Sequence, residues 1–151
     1  MQIDADYFLP TDETQIPTGK LEKVKGTPFD FLIAHKVKDR INEDDVNLKF
    51  GKGYDHAFVL NNEGFRKVST LMGDKTNIKM DVYTDQKAIQ IYSGNYLNGD
   101  KGKNQKLYNY RDAICLETSG YPNAINTPNF PSILLKKGDT YFAKTIYKFY
   151  K

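Results

Sequence analysis

Tryptophan is absent from this chain, cysteine occurs once, and histidine twice among 151 residues. A single cysteine excludes an internal disulfide. Cys115 sits in the apolar run Ala113–Leu116, which marks it as a small core hydrophobe rather than a nucleophile. His35, His56 and Cys115 lack the spacing of a zinc site, so no metal is expected. No apolar run approaches the roughly 18 residues of a membrane-spanning helix, and no N-terminal stretch reads as a signal peptide. The expectation is a cytoplasmic protein without membrane contact. Charge of one sign is missing too: 22 Lys and Arg against 19 Asp and Glu leave a net charge of +3. The signs are interspersed, so there is no basic footprint for nucleic acid. Gly99 to Gly102 lacks the strand-then-helix setting of a nucleotide motif, and Lys101, Lys103 and Lys106 fall in a solvated loop.

Aromatic residues are plentiful, with 11 Tyr and 9 Phe. Tyrosine suits half-buried strands and polyhydroxyl ligands, because the ring packs while the hydroxyl hydrogen-bonds. Strand preference alone accounts for most of them. At this length the chain is most simply one domain.

Short extended runs alternate with turn signals. Gln2–Leu9 reads as a strand ended by Pro10. Phe31, Ala34, Val37 and Ile41 have helical spacing, which suggests a short helix within Phe29–Ile41. Strands follow at His56–Leu60, Arg66–Met72, Asn77–Asp85 and Lys87–Ser93, the last two as a hairpin. Asn98–Asn109 reads as a surface loop and Ala113–Thr118 as the next strand. Tyr121–Pro131, with three prolines, is irregular and rigid. Ser132–Leu135 and Tyr141–Tyr150 close the chain as strands. The class is all-β and antiparallel. The first residues read as a mid-sheet strand with no device to blunt a sheet edge, which points to part of a larger sandwich.

Two carboxylates stand out. Glu117 follows an apolar run, where an acid costs free energy unless it is paired or kept ionised for a purpose. The alternative is a rim residue paired with Arg111. Asp55 lies in Gly53-Tyr54-Asp55-His56, where the alternative is a turn aspartate capping its own backbone. Together they suggest a polar, sugar-sized site.

Seven segments occur in an order that resembles one family. They are Asp12-Glu13-Thr14-Gln15-Ile16-Pro17-Thr18-Gly19, Gly26-Thr27-Pro28-Phe29-Asp30-Phe31, Gly53-Tyr54-Asp55-His56, Val82-Tyr83-Thr84-Asp85-Gln86, Gln90-Ile91-Tyr92-Ser93-Gly94-Asn95, Cys115-Leu116-Glu117-Thr118 and Pro128-Asn129-Phe130-Pro131. The set is similar to the C-terminal part of the aldose 1-epimerase, or galactose mutarotase, family. The resemblance covers nearly the whole chain and implies the C-terminal half of a large antiparallel β-sandwich, the family's supersandwich, with residues 1–151 a partial domain. It implies an isomerase that interconverts the α and β anomers of hexoses such as galactose or glucose, without a cofactor. By this resemblance Glu117 is the general base, Asp55 binds sugar hydroxyls, and Gln90 contacts another. For Gln90 the alternative is an exposed strand position, and His56 reads as a structural hydrogen-bonder.

The family's arginine and its two active-site histidines, one in a T-N-H-S-Y-F-N-like motif, belong to an N-terminal half with no counterpart in these residues. The general acid is therefore expected from elsewhere, with a separate chain as one source. A non-catalytic carbohydrate-binding module or pseudoenzyme is the alternative. A sugar-phosphate epimerase of the same superfamily would need a basic cluster for phosphate, and the pair Gly53-Tyr54-Asp55-His56 and Cys115-Leu116-Glu117-Thr118 argues for the unphosphorylated aldose class.

Overall fold

Alternation builds the strands. In Ala88–Tyr92 the isoleucines at 89 and 91 point to one side, and Gln90 and Tyr92 to the other. The computed structural model describes residues 1–151. In chain order it contains β1 (Gln2–Ile3), β2 (Tyr7–Phe8), β3 (Glu22–Lys23), α1 (Val37–Arg40), α2 (Val46–Gly51), β4 (Asp55–Val59), β5 (Arg66–Met72), β6 (Lys79–Thr84), β7 (Ala88–Tyr92), β8 (Asp100–Lys101), β9 (Leu107–Tyr108), β10 (Cys115–Ser119) and β11 (Thr145–Tyr150). One antiparallel sheet has the order β1-β5-β6-β11 and a second β10-β7-β4-β2-β3. Val68 and Val82 of the first sheet share one buried cluster with Phe58, Ile89, Ile91 and Leu116 of the second. The result is the expected all-β antiparallel sandwich. No helix is long and apolar enough to cross a membrane.

The aromatic centre of that core explains why Phe29–Ile41 is not a helix. Phe29 stacks on Phe8 at 4.0 Å between ring centroids, and Phe31 lies 5.4 Å from Tyr54. Burying both rings from one segment of turns outweighs the helical spacing, and only the single turn α1 remains. A helix not expected from the sequence, α2, forms because Asp45 caps it, accepting from the N–H groups of Asn47 (2.8 Å) and Leu48 (3.2 Å).

The expected β6–β7 hairpin is absent. β6 pairs with β5 and β11, whereas β7 pairs with β4 and β10. The short link between them crosses from sheet to sheet, and the Arg66 guanidinium pins the crossing by donating to the carbonyls of Thr84 (3.1 Å) and Gln86 (3.0 Å). The first strand divides in the same way: β1 is an outer strand of one sheet and not mid-sheet, while β2 lies inside the other. Ser132–Leu135 forms no strand, and Ile133, Leu134 and Leu135 remain exposed. The last strand begins only at Thr145, and the 98–109 loop carries the small β8–β9 ladder.

Candidate functional site

Register decides which side chains meet. Glu117 lies opposite Gln90, and Gln90 opposite Ala57. Cys115, Tyr92 and Asp55 form the neighbouring row. With period-two alternation, both rows face away from the main core. Asp55, Gln90 and Glu117 therefore share one face of three adjacent strands, with β7 between β4 and β10. Two strand spacings, about 10 Å, separate the strands that carry the two carboxylates. Ala57 leaves the floor low, and a cleft of about 530 Å³ opens above it. That volume is in the usual range for small-molecule sites. Asp55, Gln90 and Glu117 all line it, with Thr11, Gln15, Tyr92 and Tyr96 along the walls.

The entry to β4 is tightly held. Gly53 has φ 137°, a conformation for which glycine is suited, and a Cβ there would lie 2.5 Å from Asn95 Oδ1. Tyr54 N–H donates to Ser93 Oγ at 3.0 Å, and the Asn95 amide donates to the carbonyls of Gly51 (2.8 Å) and Tyr54 (2.9 Å). The next residue, Asp55, thus leaves a fixed backbone. Its Oδ1 accepts from Gln90 Nε2 at 2.8 Å. Burial pushes the Asp55 carboxyl above its ordinary value, and the Gln90 bond pulls it partly back.

Glu117 is exposed to the cleft. Arg111 is not its partner. That guanidinium donates to Asn42 Oδ1 (2.7 Å) and to the Lys52 carbonyl (2.9 Å), and it lies over the Tyr110 ring. The two salt bridges of the protein, Asp44–Lys49 and Lys67–Asp81, leave Glu117 free. Cys115 is half-buried on the cleft side, not a core residue. Burial first, then the negative charge of Glu117 and Asp55, push its thiol up and keep it protonated. No cluster of three or more His, Cys, Asp or Glu side chains is arranged to hold a metal ion.

A paired carboxylate–amide and an unpaired carboxylate on one wall suit a ligand rich in hydroxyls. The aldose 1-epimerase family model matches residues 1–148. The chain belongs to that family. It is 39% identical over 149 residues to galactose mutarotase of Sus scrofa, covering 97% of this chain and 42% of that protein. It is 36% identical over 152 residues to aldose 1-epimerase of Haemophilus influenzae, covering 99% of this chain and 44% of that protein. The crystal structure of an aldose epimerase homologue from C. elegans superposes with a TM-score of 0.86 at 26% identity, covering 99% of this chain and 44% of that one. The chain spans less than half the length of these epimerase relatives.

Sequence reasoning missed part of this cleft. Tyr92 was within reach of it: two residues after Gln90 on the same strand, it shares the face. Tyr96 and Gln15 carried no such signal. They meet because the Gln15 amide donates to the Tyr96 hydroxyl across 81 positions, while Tyr96 N–H donates to the Tyr92 hydroxyl at 2.9 Å.

Proposed function

We propose that this chain carries the base side of an aldose 1-epimerase active site, acting on galactose or glucose anomers. The observation that carries this is the single face shared by Glu117, Gln90 and Asp55 above the cleft floor. In this reading Glu117 takes the proton from the anomeric hydroxyl. An acid protonates the ring oxygen, the C1–O5 bond breaks, and the free aldehyde rotates about C1–C2. The hydroxyl then closes on the other carbonyl face, with both protons returned. Gln90 and Asp55 orient the neighbouring hydroxyls, the amide by donating and the carboxylate by accepting.

The acid comes from a second polypeptide segment, corresponding to the part of the relatives that this chain does not span. The open flank of the sandwich supports this. β10 and β11 are each the outermost strand of their sheet. They touch through the Thr118 and Thr145 hydroxyls (2.6 Å) and through the Tyr147 hydroxyl, which donates to the Leu116 carbonyl at 2.8 Å. Thr145, Tyr147 and Phe149 alternate onto the inner side of β11, yet Phe149 is 65% exposed. Inward-facing apolar residues beside two free strand edges favour added strands.

Anomer-exchange NMR with galactose tests the proposal. The chain alone should give little acceleration, and adding a polypeptide with the family's arginine- and histidine-bearing half should restore it. Turnover by the chain alone at the speed of the reconstituted pair would refute the external acid. Galactose binding without turnover in either sample would favour a carbohydrate-binding module.

A further inference from the structure

We propose that His56 is a positioning residue, which fixes the backbone from which Asp55 aims its carboxylate into the cleft. That aim bears on sugar only if Asp55 binds sugar hydroxyls, as proposed above. The geometry stands without it. His56 occupies the opposite face of β4 from Asp55, almost wholly buried. Its Nδ1 accepts the N–H of Asp55 at 3.0 Å. A neutral imidazole accepting at Nδ1 carries its proton on Nε2, and Nε2 faces Thr11 Oγ1 at 3.5 Å. Thr11 is held in turn, its N–H donating to Asn47 Oδ1 of α2 at 3.1 Å.

The ring has little room to move. Phe29 and Phe8 meet it edge-on, with centroids 4.9 and 6.2 Å away. On another side, a Cβ built on Gly51 would lie 3.1 Å from His56 Cε1, a tight contact that would push on the ring. Burial keeps the imidazole neutral, with its pKa pushed down to about 4, which preserves the Nδ1 acceptor near neutral pH. Asp55 is the first residue of its strand. The bonds around Tyr54 hold the chain before Asp55, and the His56 acceptor holds the N–H of Asp55 itself. Without it that N–H is left unpaired and the carboxylate is set less firmly toward Gln90.

Two substitutions separate positioning from packing. His56→Asn keeps an acceptor where Nδ1 was, and His56→Gln keeps a polar group where Nε2 was but offers Asp55 none. Carbon-13 NMR of the Asp55 carboxyl should show the parent titration retained in His56→Asn and shifted away from it in His56→Gln. Galactose affinity should fall roughly tenfold or more in His56→Gln, and by no more than about threefold in His56→Asn. A His56→Gln protein that folds and titrates at Asp55 like the parent would overturn the proposal. Should neither variant fold, the nitrogen-15 spectrum of the unmutated imidazole decides: protonation on Nε2 supports the assignment, and protonation on Nδ1 near neutral pH overturns it. A parent that binds no galactose, together with a carboxyl titration that still shifts in His56→Gln, would sink the sugar reading and leave the positioning role standing.

Discussion

Gln90 Nε2 donates to Asp55 Oδ1 at 2.8 Å across two paired strands, on the face that also carries Glu117. The bond stabilises the ionised form of a carboxyl that burial otherwise disfavours. Replacing Gln90 with Leu should therefore raise the Asp55 pKa further and weaken galactose binding. A carboxyl NMR titration checks the first and calorimetry the second. An Asp55 pKa that falls in Gln90→Leu would contradict the assigned bond.

Glu117→Gln removes the proposed base while keeping shape and hydrogen-bonding capacity. In the reconstituted enzyme, the rate of anomer exchange should drop by about 10²–10⁴-fold, with galactose affinity nearly unchanged. A variant as fast as the parent takes Glu117 out of the chemistry.

His56 should couple stability to pH. Its folded pKa is about 4 against an ordinary 6.5, so the unfolded chain takes up the proton first as pH falls. The contribution is fully present above pH 6.5 and is lost progressively down to about pH 4. The integrated loss is about 3 kcal/mol. Urea midpoints across this range should fall more steeply for the parent than for His56→Asn, which has no imidazole to protonate. Parallel slopes would contradict a buried neutral His56.

Core and open flank should respond differently to truncation. Phe29, wholly buried and stacked on Phe8, should cost about 3–5 kcal/mol when replaced by Ala. Phe149→Ala on the uncovered side of β11 should change the stability of this chain by less than about 0.5 kcal/mol. The same change should weaken capture of the complementary half. Urea melts measure the first two effects, and titration of labelled chain measures the third. Equal loss of stability from both substitutions would mean that β11 is already covered.

Much of the architecture was legible locally. The strands around 56–60, 66–72, 79–84 and 88–92 announce themselves by alternation, because one side of each must be apolar to face a core. Pairing was not legible. β6 and β7 lie three residues apart and read as a hairpin, yet they belong to opposite sheets, since Val82 and Ile89 approach one core from its two sides. The Phe29–Ile41 segment failed for a related reason. Its helical spacing is a local preference, and the stack of Phe29 on Phe8 is a long-range contact that outweighs it.

The cleft divides along the same line. Ordered segments such as Gly53-Tyr54-Asp55-His56 and Cys115-Leu116-Glu117-Thr118 were enough to nominate Asp55, Gln90 and Glu117 through the family resemblance. The partners that hold and surround them were not: Ser93 and Asn95 behind Tyr54, Thr11 beneath His56, Gln15 against Tyr96. Residue order sets backbone preference and the side of a strand on which each side chain falls, because both depend on near neighbours. Which strands lie side by side, and hence which polar groups share a wall, depends on how distant apolar surfaces are buried together, and that was decided only when the two sheets closed on their common core.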